Sequence, residues 1–236
     1  TKVLKNWNLV GNEDKTDFTH VYLAEKGAKD DQGKPIAGNE LWRKSITLGS
    51  MLCSKEDISR RICLGYAAFN KYKKAWNNRI PLSKRLLLYE ALVVSVLMYN
   101  SSCWAAPKSV LEKLDIAHRR HLRSILNYKY PYIISNDNLY KRCNSEPLSA
   151  KVARSRWRML GHVLRGPSDG PAYSSLVFAV NTLQLQGRRG RPQSNLFSLI
   201  LQDLSVRKLS LNNLCDLNHL TLIAQNRVKW RSMQIA

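Results

Sequence analysis

The sequence predicts a mainly α fold with a small β-containing segment at its N-terminal end. Two observations carry this. The apolar residues change period near Lys55, from alternation to the 3.6-residue spacing of helices. Beyond that point Pro81, Pro107 and Pro147 each stand just ahead of an apolar run, where a helix tolerates proline because its first N–H groups have no internal partner. At 236 residues the chain can bury a substantial core.

Taken in order, "FTHVYLA" alternates around Val21 and Leu23, "DDQGK" reads as a turn, and "SITLGSML" as a second extended run. From Lys55, the residues Ile58, Ile62, Gly65, Phe69 and Trp76 fall on one helical face, with Ser54 and Asp57 spaced like a capping box. The second helix, Leu82 to Tyr99, is apolar nearly all round and is expected at the centre of a bundle. The third turns Val110, Leu114, Ala117 and Ile125 inward and presents a basic face at "HRRHLR", which His118 and His121 are expected to extend. "YKYPYIISNDN" interrupts the pattern. A fourth helix then runs from Pro147 to about Arg165, with Ala153, Trp157, Leu160 and Leu164 as its apolar stripe. Its other faces carry Lys151, Arg154, Arg156, Arg158 and Arg165. "GPSDGP" ends it, and two further helices are expected at Asn195–Leu204 and Leu217–Arg231. These elements suggest three regions: 1–53, with extended runs; 54–128, a three-helix bundle; and 129–236, basic and helical.

Charge narrows the function. There are 38 Lys and Arg against 17 Asp and Glu, a net charge of +21, with a pI near 10.0. Such an excess repels itself unless a polyanion is present, which makes nucleic acid the first partner to expect. The charge is uneven: residues 1–50 hold 8 basic and 7 acidic side chains, residues 151–200 hold 8 and 1. The longest apolar run, "LVVSVLMY", is too short to span a bilayer, so no membrane partner is expected. Five cysteines without a C-x-x-C pair argue against a zinc ribbon or a disulfide framework and for a reducing, intracellular location.

Two features point to nucleic acid more specifically. "GRRGRPQ", at 187–193, places Arg188, Arg189 and Arg191 in a loop whose Arg-Gly-Arg-Pro core matches the AT-hook, which lays arginines in a narrow minor groove. The alternative is a loop that touches phosphate without reading sequence. Arg119, Arg120 and Arg123 on one helix, and Arg154, Arg158 and Arg165 on another, would form a positive surface near Tyr128, Tyr130, Tyr132 and Trp157. Catalytic constellations are scarce. Glu13–Asp14, Asp30–Asp31 and Glu56–Asp57 lack the flanking apolar strands that two-metal chemistry requires, and the five histidines show no metal spacing. No catalytic or metal-ligating residue is therefore expected.

In order along the chain, "GNEDKTDF", "ITLGS" and the run from "DISRRICLGYAAF" to "LVVSVLMYNSSCW" resemble the end of a non-LTR (LINE-type) retrotransposon reverse transcriptase. "LDIAHRRHLRSIL", "SRWRMLGHVLR", "GRRGRP" and "IAQNRVKWR" resemble the C-terminal region that trails this domain. The resemblance implies that Asn12, Lys15 and Thr16 belong to the palm, with Lys15 near nucleic acid, and that Leu48 and Gly49 form the primer grip. It also implies that region 1–53 is a palm remnant, that the bundle is the thumb, and that the partner is an RNA/DNA template–primer or duplex in the nucleus. The family's aromatic-x-Asp-Asp is absent from the sequence, so the chain alone is expected to be inactive as an RNA-directed DNA polymerase. Magnesium is expected only for an intact enzyme. Departures from the family pattern occur at Thr47, His121, Leu196–Phe197 and Asn226. A non-enzymatic nucleic-acid-binding protein derived from such an element is the alternative, and a helical protein-interaction module whose charge serves solubility is a third.

Overall fold

The computed structural model describes residues 46–182 and 195–234. Lys15, the extended run around Val21, and the arginine loop at 187–193 lie outside the described residues. The chain divides into two units, 1–56 and 57–236.

In the first unit β1 (Ile46–Thr47) pairs antiparallel with β2 (Ser50–Met51), in the register Ile46 to Met51 and Thr47 to Ser50. The two residues between them, Leu48 and Gly49, both have positive φ, at 49° and 81°. Both central residues of a tight type I′ hairpin need this sign, because its twist then matches that of the strands. Glycine adopts it freely; leucine does so at a steric cost.

The second unit is helical. The helix α1 (Ser54–Lys71) leads into a 3₁₀ turn at Lys73–Trp76. Next, α2 (Leu82–Tyr89) continues through a π-helical turn, Glu90–Val94, and a last α turn, Ser95–Leu97. It stops before Asn100, whose φ of 58° no helix continues. Pro107 precedes α3 (Lys108–Ile125). Two helices occur where the sequence suggested only breaks. Ser135 caps α4 (Asn136–Cys143), its side chain accepting from the Asn138 N–H, and Pro171 opens α6 (Pro171–Asn181). Between them lies α5 (Leu148–Leu164), followed later by α7 (Leu196–Val206). The expected final helix is two, α8 (Leu214–Gln225) and α9 (Arg227–Ser232). Asn226 breaks it: its backbone is extended and its side chain accepts from the Lys229 N–H.

Two hydrophobic cores form. The first joins Ile58 and Phe69 of α1, Tyr89, Val93 and Leu97 of the second helical run, and Leu114, Leu122 and Ile125 of α3. It also takes in Leu139 of α4 and Leu148 and Val152 of α5, so more than three helices close it. Gly65 faces Leu97, where an added Cβ would overlap the leucine side chain. Position 65 must be small for these helices to meet. The second core gathers Trp157, Leu160 and Leu164 of α5 with Leu176, Ile200, Leu204, Leu217, Leu220 and Trp230. Helix α5 therefore serves both cores, one with each half. Leu148 and Val152, not Ala153, begin its apolar stripe, since both are buried and Ala153 only half-buried.

Buried polar groups fix these elements in register. Asp57 accepts from the Trp104 indole N–H (2.9 Å). Asp115 of α3 accepts from the Ser149 N–H (3.0 Å) at the start of α5, where Pro147 provides no side-chain cap. Trp157 and Trp230 stack with ring centroids 4.0 Å apart and planes 3° from parallel. Each indole N–H donates to the other residue's carbonyl, at 2.9 and 3.1 Å. Gly161 leaves the space in which Trp230 sits.

Candidate nucleic-acid interface

The end of α1, the segment following it and the C-terminal end of α3 line a groove of about 1240 Å³. Lys71, Lys73, Lys74, Arg120, Arg123 and Lys129 line it, together with the aromatic rings of Phe69, Tyr72, Trp76 and Tyr128. None of the described residues lining it is acidic.

The local sequence explains why the two walls hold together. Phe69 and Trp76 stack (4.9 Å), and the Trp76 indole N–H donates to the Phe69 carbonyl (2.8 Å), closing the turn that carries Lys73 and Lys74. Arg85 of α2 is buried beneath. Its Nη1 donates to the carbonyls of Trp76 and Ile125 and to Asn78 Oδ1, tying the turn to the end of α3. A guanidinium suits that position because it offers several donors in one rigid plane. On the other wall, Arg123 Nη2 donates to Asn136 Oδ1 (2.7 Å), and Arg142 donates to the Tyr128 hydroxyl (2.8 Å). Just beyond Lys129, Tyr130 and Tyr132 are 94% and 77% exposed, leaving two ring faces open to solvent.

The sequence-predicted cations divide into four sets. Arg120 is exposed and lines the groove with Arg123. Arg119 is bound to Glu112 (2.6 Å), and Arg154 to Glu146 (2.6 Å), so each already has a counter-charge. Arg158 and Arg165 line a different concavity. Lys15, Arg188, Arg189 and Arg191 fall outside the described residues. Of the resemblance-derived pair, Leu48 stands at the hairpin tip with 89% of its surface exposed, beside Gly49. The lysines of the groove did not emerge as candidates from sequence, although "NKYKKAW" and "YKYPY" both interleave basic and aromatic residues.

Two sequence expectations are corrected. His118 and His121 do not extend a basic face; both are buried. The Tyr89 hydroxyl lies 2.8 Å from His118 Nδ1 and 3.3 Å from His121 Nδ1, and His118 Nε2 lies 3.2 Å from Ser145 Oγ. One proton arrangement fits both histidines as neutral rings: Tyr89 donates to His118, His118 to Ser145, and His121 to Tyr89. Burial pushes His118 down to about 3, helped by Lys151, His121 and Arg119, and pushes His121 down to about 4. Shielded from solvent, the pair is a packing element. Arg156, expected on an outer face, is also buried; it grips Asp203 of α7 with two hydrogen bonds (2.6 and 3.0 Å).

Among the described residues no cluster of three His, Cys, Asp or Glu side chains could hold a metal ion, and no helix is long and apolar enough to cross a membrane. Searches against protein-family models, curated proteins and solved structures found no match for this chain.

Proposed function

We propose that this chain grips nucleic acid as the primer-grip, thumb and C-terminal part of a non-LTR retrotransposon reverse transcriptase, and acts in the nucleus. The observation that carries the nucleic-acid reading is the groove: among the described residues its lining holds six cations, no acid and four aromatic rings, on walls braced from behind by Arg85. Cations in that density neutralise successive phosphates and release their counterions, while exposed rings such as Tyr130 offer bases a stacking surface. The ordered motifs of the sequence support the narrower assignment, as does the strained Leu48–Gly49 tip, since backbone strain gathers at working sites. Phosphoryl transfer requires carboxylates paired on apolar strands, as in the aromatic-x-Asp-Asp that the sequence lacks. Purified chain should therefore show no template-dependent nucleotide incorporation with magnesium.

Duplex binding measured against salt tests the groove. Six phosphate contacts give a slope of log K against log salt of about −5 on duplex DNA. The triple variant K73A/K74A/R120A should shallow it by about 3 and weaken all sequences alike. A flat titration of the unaltered chain, or a variant indistinguishable from it, rejects the groove. The AT-hook analogy adds a separate expectation: R189A/R191A should weaken A·T-rich and G·C-rich duplexes equally if that loop meets only phosphate, and A·T-rich ones selectively if it reads the minor groove.

A further inference from the structure

The second core carries a concavity of its own, about 640 Å³, between α5 and the chain around α9. Arg158, His162 and Arg165 recur at the i, i+4, i+7 spacing that shares one helical face. Arg227 and Arg231 face them from the i and i+4 positions of α9, and Trp230 between them is the ring that seats over Gly161.

Three features mark this as a place for an anion. First, among the described residues four arginines converge with no acidic residue in the lining, and Arg158, Arg227 and Arg231 form no ion pair. Like charges so arranged cost free energy unless a counter-charge joins them. The guanidinium of Arg165 shows this: burial lowers its pKa, and Arg227 and Arg231 lower it further. Second, Arg165 is already positioned, because its Nη1 donates to the Ala224 carbonyl (3.0 Å). Third, the side-chain Nε2 of Gln234, in the same lining, is buried with no hydrogen-bond partner. A buried donor without an acceptor is costly, and turning the Gln234 side chain toward a ligand oxygen in the concavity would supply the acceptor.

We infer that the concavity lined by Arg158, Arg165, Arg227, Arg231 and Gln234 is a second phosphate site, taking a backbone phosphate of a nucleic-acid strand. The guanidinium forks match phosphate oxygens in pairs, and Gln234 Nε2 adds a neutral donor. The volume falls within the range of small-ligand sites and accommodates more than a bare ion. The site is distinct from the groove of Lys73 and Arg120, and only the choice of nucleic acid as carrier of the phosphate rests on the function proposed above.

Phenylglyoxal labelling of the full chain, with each arginine mapped by mass spectrometry, tests the site directly. Duplex DNA should slow labelling of Arg227 and Arg231 at least threefold, and should do so equally in the K73A/K74A/R120A variant once added at saturation. Inorganic pyrophosphate separates the sources of phosphate. Protection by pyrophosphate but not by DNA would make this a site for free polyphosphate and overturn the strand assignment. Protection by neither would remove the site altogether. Affinity gives the second measurement: R227A/R231A, both exposed positions, should shallow the salt slope by about two while leaving far-ultraviolet circular dichroism unchanged. An unchanged slope in that folded variant overturns the inference, whatever becomes of the groove.

Discussion

Helices α3 and α5 look alike in sequence, both crowded with arginine and histidine, yet they bury their polar residues by opposite means. Helix α3 turns two histidines inward; α5 turns an arginine inward. Imidazole can shed its proton and enter a core neutral, so His118 and His121 need only hydrogen-bond partners. Guanidinium keeps its charge, so Arg156 needs Asp203, which α7 supplies. The residues left facing solvent follow from this. On α3 they are Arg120 and Arg123, beside the lysines at and after the end of α1; on α5 it is Arg158, with Arg165 just past the helix end, beside α9. The number of cations on a helix therefore overstates the charge it can offer a ligand.

The contrast can be broken most forcefully at Asp203. D203A leaves Arg156 buried without a counter-charge and should cost about 3–5 kcal/mol in urea unfolding, while R156M, which keeps most of the volume but strands Asp203 near the surface, should cost less. A D203A loss below about 1 kcal/mol would show that α5 does not depend on the pair. Acid probes the other helix. The folded-state pKa values of His118 and His121, about 3 and about 4, lie below the unfolded value near 6.5. Well above pH 6.5 both states hold neutral rings and stability is independent of these groups; as pH falls through 6.5, only the unfolded chain takes up protons. Stability should drop by about 4 kcal/mol between pH 7 and pH 5, and H118Q/H121Q should remove most of that slope. Unfolding curves of both proteins across that range decide it.

Smaller effects follow from single contacts on the same two helices. G161A pushes a Cβ into Trp230 and should cost about 1–3 kcal/mol, lowering the thermal midpoint and altering tryptophan fluorescence as the stacked pair separates. Smallest in energy is R120A, expected to change stability by less than about 0.5 kcal/mol, with R119A, whose side chain is largely covered and paired with Glu112, costing about 1 kcal/mol. Their binding should differ, however: R120A shallows the salt slope by about 0.9, while R119A, whose guanidinium already serves Glu112, changes it by less than half as much. Equal slopes would mean that the Glu112 pair opens when nucleic acid arrives.

The helical faces were legible in the sequence wherever one core decided them. Ile58, Gly65 and Phe69, or Leu114 and Ile125, sit inward as the 3.6 period requires. Helices α4 and α6 were not legible, because each is short and opens within a proline- or polar-rich stretch that reads as a break. Nor was the burial of Arg156, since its partner Asp203 lies 47 positions away and spacing within one helix carries no trace of it. The groove fell between these cases. Arg120 and Arg123 stood out as part of a run, but Lys71 and Lys129 become neighbours only when Arg85 draws the turn at Trp76 against the end of α3. Charge was readable; which charges meet was not.

The Trp157–Trp230 clasp bears on how the molecule is made. It joins positions 73 residues apart, whereas the first core is complete within residues 58–152. During synthesis the N-terminal core can therefore consolidate while the C-terminal half of α5 still waits for its partner, with Trp157, Leu160 and Leu164 bare. Closing so long a loop carries an entropic cost, and contacts of high sequence separation form slowly. A chain interrupted before position 230 would not be a shorter working protein. It would hold a finished first core attached to an uncovered greasy helix face, the kind of species that aggregates.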